Sequence, residues 1–336
     1  MRKTCIWLCC LLSSLFAPAQ KNIIFETDMG NDIDDALALD MLYKWDDMKK
    51  INLMAVMLNK MGEYPPQYID VMNTWYGHKK LPIGTIGTDN ANIAAKPNYT
   101  KTVVTLTGED GKPLYKRTVK DISKLTAAPE LYRKLLAKAK DKSVTIVSVG
   151  FSTNLALLLS TQGDKYSPLS GRELVEKKVD RLIVMAANMA NPDAVEFNVK
   201  GDVPACQKVY TEWPTPIYTT AWELGVKVCY PGQSIRDDFG WASHHPMVDS
   251  YRDYRKGLED SPMWDVTAVL YAVDPQDMFD LSPRGRITIF ETGKSRFTPE
   301  ASGNHYYLIT SQEQEKKILD YFLDFIPQKP AKAKLK

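Results

Sequence analysis

The residues most able to do chemistry stand close together: Asp28, Asp32, Asp34 and Asp35 fall within the single stretch 28–35. One or two acids at a helix start are explained by capping and by the favourable end of the helix dipole. Four close carboxylates repel one another unless a cation or shared protons offset them, so the cluster points to a hard metal such as Ca²⁺ or Mg²⁺. An EF-hand loop is a poor match, because its glycine and distal glutamate are missing. A phosphatase of the haloacid dehalogenase type would need a nucleophilic aspartate two residues before Asp28, where Glu26 stands. The apolar run 23–27 leads straight into the acids and an Ala/Leu-rich segment follows at 36–39. That places them at a strand-to-helix turn, where ligands bind in open α/β sheets.

The elements that must hold this turn alternate along the chain. Short β-rich runs at 23–27, 53–58, 144–149, 181–186, 216–220 and 286–290 interleave with helical patterns at 35–45, 153–160 and 264–273. This alternation predicts an α/β fold with an open, mostly parallel central sheet and helices on both faces, in a Rossmann-like arrangement. A closing helix is expected at 311–326, with Ser311 as N-cap and Ile318, Leu319, Phe322, Phe325 and Ile326 on one side. The polar segment from about 88 to 125 reads as a surface excursion with a hairpin around Gly108-Glu109-Asp110-Gly111. No internal repeat is visible. The 336 residues fit one large catalytic unit at 20–326, followed by a short basic tail at 327–336 expected to be disordered.

The first 19 residues carry Arg2 and Lys3, an apolar run from 5 to 16, and Ala17-Pro18-Ala19 before Gln20. This is the pattern of a signal peptide cleaved after Ala19, and the run is too short for a stable membrane anchor. Export to a bacterial periplasm or to the medium is expected. Cleavage would remove Cys5, Cys9 and Cys10 and leave Cys206 and Cys229, either joined or as two buried thiols. No Cys/His spacing suggests zinc. With 43 Lys and Arg against 41 Asp and Glu, the charge is too balanced for nucleic-acid binding.

The segment Glu26-Thr27-Asp28-Met29-Gly30-Asn31-Asp32-Ile33-Asp34-Asp35 resembles the N-terminal signature of the inosine-uridine-preferring nucleoside hydrolase family, Asp-Thr-Asp-Pro-Gly-x-Asp-Asp. The loop here is two residues longer, so Asp32 and Asp34 could exchange roles. Further stretches resemble the family in order. They are Asn59 after the second strand, Gly150-Phe-Ser-Thr153-Asn154, Met185 to Asn198 ending in Glu196-Phe197-Asn198, and Trp264-Asp265-Val-Thr-Ala-Val. The resemblance implies a Ca²⁺ ion held by Asp28, Asp35, the Thr153 carbonyl and Asp265, with Asp28 also the general base toward a metal-bound water. It assigns ribose and substrate contacts to Asp34, Asn59, Glu196 and Asn198. Met185 belongs to the same substrate segment, and either Asn188 or Asn191, or neither, would be the additional ribose-binding asparagine. Trp264 stands where the family has a histidine, so the usual leaving-group acid is lost and an indole able to stack on a base replaces it.

The expected reaction is hydrolysis of a ribonucleoside to ribose and free base, in a homo-oligomer serving nucleoside salvage. His78, His244 and His245 are candidate substitutes for the missing acid, though none sits on a motif. The alternatives are a hydrolase of another N-ribosylated metabolite and a non-catalytic, calcium-dependent riboside-binding protein.

Overall fold

β-branched side chains keep few rotamers and pack well on a pleated surface, which is why the Val/Ile-rich runs become strands. The computed structural model of the chain describes residues 20–86 and 98–333, so the expected leader at 1–19 and part of the polar segment lie outside the described residues. The chain opens with β1 (Lys21–Thr27), α1 (Asp34–Asp47), β2 (Ile51–Leu58), α2 (Tyr64–Trp75) and β3 (Ile83–Thr85). Then come α3 (Tyr99–Thr105), β4 (Thr126–Ala127), α4 (Ala128–Lys138), β5 (Val144–Ser148), α5 (Thr153–Ser160) and α6 (Gly171–Lys178). The middle continues with β6 (Val179–Met185), α7 (Phe197–Gly201), α8 (Val203–Glu212), β7 (Ile217–Thr220), α9 (Trp222–Gly225), β8 (Cys229–Tyr230), α10 (Gly232–Asp237) and α11 (Pro246–Tyr254). The last part holds β9 (Ser261–Pro262), α12 (Trp264–Val273), β10 (Asp280–Leu281), β11 (Gly285–Ile289), β12 (Ser295–Pro299), β13 (His305–Ile309) and α13 (Gln312–Phe325).

β1 lies between β2 and β5, parallel to both. From β1 the sheet grows outward through β2, β3 and β4; the chain then returns to β5 and grows the other way through β6, β7 and β13, all parallel. The reversal between β1 and β5 is a topological switch point, so a crevice opens beyond their C-terminal ends. The run at 286–290 joins this sheet as an antiparallel addition, because β11 pairs antiparallel with β12 and β13. Alternation along β1 sends Ile23 and Phe25 into one core cluster with α1, α12 and α13, and Ile24 into another with α4, α5 and α8. Two covered faces are what a mainly parallel sheet requires.

α13 starts at a full capping box, in which Ser311 and Gln314 exchange side-chain and backbone hydrogen bonds. The expected turn is present in the polar segment, where Gly108 N donates to Lys112 O at 2.8 Å and Gly111 N to Gly108 O at 2.9 Å. The segment is not wholly superficial, however. α3 is anchored by buried Tyr99 and Val103, and its Thr-rich sequence has too low a helix propensity to announce it. The tail is likewise packed as far as Ala333: Trp241 Nε1 donates to Pro327 O at 2.8 Å, Pro330 is buried, and Lys332 pairs with Asp47. Its basic composition concealed specific acidic partners. Cys206 and Cys229 are both free thiols. Among the described residues no helix is long and apolar enough to cross a membrane.

Candidate active site

The crevice at the switch point is a small cleft lined by acids and aromatic rings, placed where ligands bind in open α/β sheets. Its acids are Asp28, Asp32, Asp34, Asp35, Glu196 and Asp265, and the remaining lining is Val149, Met185, Phe197, Asn198, Trp222 and Trp264. Asp28 directly follows β1, Val149 follows β5 and Met185 ends β6.

Local sequence explains how each side chain is held. Asp34 and Asp35 open α1, where the helix dipole favours negative charge. Asp265 N donates to Asp34 at 2.9 Å, which pins the first turns of α1 and α12 together. The Thr27 hydroxyl donates to Asp35 and accepts from Met29 N at 3.0 Å. Gly150 is required for space, since a Cβ there would stand 2.6 Å from both Asn59 Oδ1 and Asp28 N. Glu196 caps α7 by accepting from Asn198 N and Val199 N, and also accepts from Ala187 N at 3.2 Å. Ala187 holds a left-handed φ of 69° to present that N–H, a strained geometry of the kind found at functional sites. The Asn198 amide donates to Val149 O at 3.0 Å and Met185 O at 3.1 Å, tying together the ends of β5 and β6.

Electrostatically the cleft is a set of buried acids short of positive charge. Burial pushes Asp28 up to about 6 against the pull of the Lys60 ammonium, and Glu196 up to about 7. Burial, then mutual repulsion with neighbouring acids, pushes Asp34, Asp35 and Asp265 well above the usual carboxylate range. Among the described residues, Asn59 Oδ1 is buried with no hydrogen-bond donor. An all-oxygen, anionic donor set fits a hard divalent cation.

The structure therefore brings together Asp28, Asp34, Asp35, Asp265, Glu196, Asn198, Met185 and Trp264. Asp34 is buried, while Asp32 is half-buried at the same cleft and accepts from the Tyr254 hydroxyl. Asn59 is buried behind Asp28 and donates to Glu26 at 3.2 Å. The Thr153 side chain is turned from the cleft, its hydroxyl donating to Asp202 at 2.6 Å. Asn191 is placed away from it too, in an exposed turn that it stabilises itself, its N–H bonded to Asn188 Oδ1 at 2.7 Å and its Oδ1 to Asp193 N at 3.1 Å. None of the candidate histidines reaches the cleft: His245 is buried among Trp75, Tyr76, Phe239 and Trp241, His244 is exposed, and His78 pairs with Asp46 and Asp47.

Sequence reasoning missed Trp222, 41% exposed, whose carbonyl accepts from Trp264 Nε1 at 2.9 Å. Its position just past the end of β7 was the available signal. Gly225 lets Trp264 approach, because a Cβ there would meet the indole Cδ1 at 2.1 Å. Away from the cleft, Asp46, Asp47 and His78 form another group able to hold a metal, with ligand atoms within 4.8 Å of one another. Lys332 Nζ lies 2.8 Å from Asp47, so that group already has a cationic partner within the chain.

Residues 23–318 match the family described as inosine-uridine preferring nucleoside hydrolase. Among solved structures, a plant nucleoside hydrolase superposes with a TM-score of 0.64 at 18% identity, covering 90% of this chain and 98% of its own. A purine-preferring ribonucleoside hydrolase from Gardnerella vaginalis gives 0.68 at 14% identity, covering 91% and 98%. An inosine-uridine preferring nucleoside hydrolase from Bacillus anthracis gives 0.61 at 16%, covering 90% and 99%. At these identities the likeness establishes the fold. No curated protein matches the chain by sequence.

Proposed function

The chain belongs to the inosine-uridine preferring nucleoside hydrolase family, a metal-dependent family, so its reaction is hydrolysis of the ribonucleoside N-glycosidic bond, and we propose that Asp28 is the general base of that reaction. The observation that carries this reading is the convergence of Asp28, Asp34, Asp35 and Asp265 from two separate parts of the chain on one buried cleft. The ion would be Ca²⁺, held by Asp28, Asp35, Asp265 and the Thr153 carbonyl; when bound it supplies the charge that orients and acidifies a water and grips the ribose diol.

The protein's own groups do the rest. Asp28 accepts the proton of the attacking water, a role worth roughly 10²–10⁴-fold. Asp34, Asn59, Glu196 and Asn198 position the sugar, and the acid-rich wall favours the positive charge that builds on the ring as the bond breaks. Trp264, with Trp222 beside it, offers an indole face to the base, with stacking worth roughly 1–3 kcal/mol. Among the described residues no histidine lines the cleft, so the departing base would take its proton from solvent or from another group. The leader-like residues 1–19 support export, and with it nucleoside salvage outside the cytoplasm.

The test is release of free ribose from a panel of purine and pyrimidine nucleosides, with Ca²⁺ and after chelation. Release that depends on Ca²⁺ is the expected result. No release from any nucleoside, with tight riboside binding retained, would replace this reading with a calcium-dependent binding protein or an enzyme for a different N-ribosylated compound.

A further inference from the structure

Two side chains that the reaction leaves unused converge on Asp28. Lys60, 2% exposed, directly follows Asn59 at the end of β2. Its ammonium donates to Asn31 Oδ1, and Asn31 Nδ2 donates to Asp28 Oδ2. Asn31 lies in the β1–α1 loop, the loop that is two residues longer than the family signature. Burial disfavours the Lys60 ammonium, while Asp28, Asp35 and Asp32 support its charge.

A carboxamide has an oxygen end and an NH₂ end of nearly equal shape, so an isolated asparagine can turn either toward a neighbour. An ammonium has donors only. It therefore captures the Asn31 oxygen and commits the NH₂ end to Asp28. We infer that Lys60 and Asn31 form a positioning relay for the general base, in which the ammonium sets the amide orientation and the amide holds Asp28 Oδ2. The relay rests on the proposed role of Asp28. Without Lys60 the amide oxygen could face the carboxylate, and Asp28 would lose its fixed rotamer.

The experiment compares full-length Lys60→Met, Asn31→Leu and the double variant, measuring kcat and KM for ribose release, melting temperature, and Ca²⁺ affinity by calorimetry. Supporting side chains of this kind typically matter about 10–100-fold. Each single variant should lose kcat in that range, with KM within about threefold and melting temperature held. The double variant should lose no more than the worse single one, because both remove the same relay. Lys60→Met should also bind Ca²⁺ about tenfold more tightly, since a like charge beside the ion is gone, whereas Asn31→Leu should not. Unchanged kcat in either single variant, losses that multiply in the double, or loss of kcat only alongside loss of folding would overturn the relay. If the unmodified protein releases ribose from no nucleoside, the hydrolase reading fails separately. Calorimetry then decides the relay, and identical Ca²⁺ affinity in Lys60→Met and the unmodified protein would place the ammonium away from the acids and overturn it.

Discussion

Helix α1 carries an Asp-Asp pair at each end, Asp34-Asp35 at the start and Asp46-Asp47 at the finish, and the two pairs have opposite surroundings. At the finish the helix dipole opposes negative charge, and the chain supplies compensation. His78 stands 3.0 Å from Asp47 and 3.5 Å from Asp46, Lys332 Nζ stands 2.8 Å and 3.7 Å from them, and Leu53 N donates to Asp46 at 3.0 Å. At the start the dipole tolerates acids, yet Asp34 and Asp35 are joined there by Asp28 and Asp265, and Lys60 is the ammonium near them. Two identical dipeptides thus become a closed ion-pair network and an open anionic site. What distinguishes them is the balance of countercharge, since an acid pair satisfied from within the fold has nothing left to offer a ligand.

The largest expected break in this comparison is Asp28→Asn, which should lower kcat by about 10³-fold, the scale of a lost general base, while riboside binding by calorimetry survives. Retained turnover would remove Asp28 from its proposed role. Next, Asp35→Asn and Asp265→Asn should each weaken Ca²⁺ binding by about 100-fold, because affinity follows ligand charge. Asp46→Asn and Asp47→Asn should leave it unchanged, and the reverse pattern would move the metal to the far end of α1.

The two ends should also answer pH in opposite directions. In chelated protein Glu196 keeps its proton to about pH 7, whereas an unfolded glutamate ionises near 4.5. Between those values the unfolded state releases the proton first, so stability falls as pH rises, by about 3 kcal/mol for this group at roughly 1.4 kcal/mol per pH unit. The raised aspartates act in the same sense. His78 is held below its usual 6.5, chiefly by burial, so its contribution is present above that pH and is lost as pH falls. Melting curves at pH 5 and pH 8 in chelator should show the acid cleft dominating, with a lower melting temperature at pH 8, and added Ca²⁺ should reverse the slope. A chelated protein that grows more stable toward pH 8 would contradict the burial described. The smallest effect is Lys332→Met, expected to cost about 0.5–1 kcal/mol, to shrink further in high salt and to leave ribose release unchanged.

The switch-point strands and much of the cleft were legible because strong local patterns carry them. Val/Ile runs at 23–27 and 144–149 can bury both faces only in a covered sheet, and the acid density at 28–35 has no cheap structural explanation. Glu196 and Asn198 were legible through their motif. Asn191 closes its own turn, and an asparagine that does so looks in sequence like one that binds a sugar. α3 and the packed tail were hidden for the same reason: what anchors them, Tyr99 and Lys332, finds partners far away along the chain.

The sequence by itself determined the main strand–helix alternation, the acid-rich first turn and the family to which the chain belongs, because periodicity and short motifs are properties of neighbours. Only the tertiary structure decided which acids share a cleft, that Trp222 stands beside Trp264, that Lys60 reaches Asp28 through Asn31, and that Lys332 closes the second acid pair. Each of those facts depends on residues distant in sequence being brought within a few ångströms, where burial and Coulomb forces become strong enough to assign them different roles.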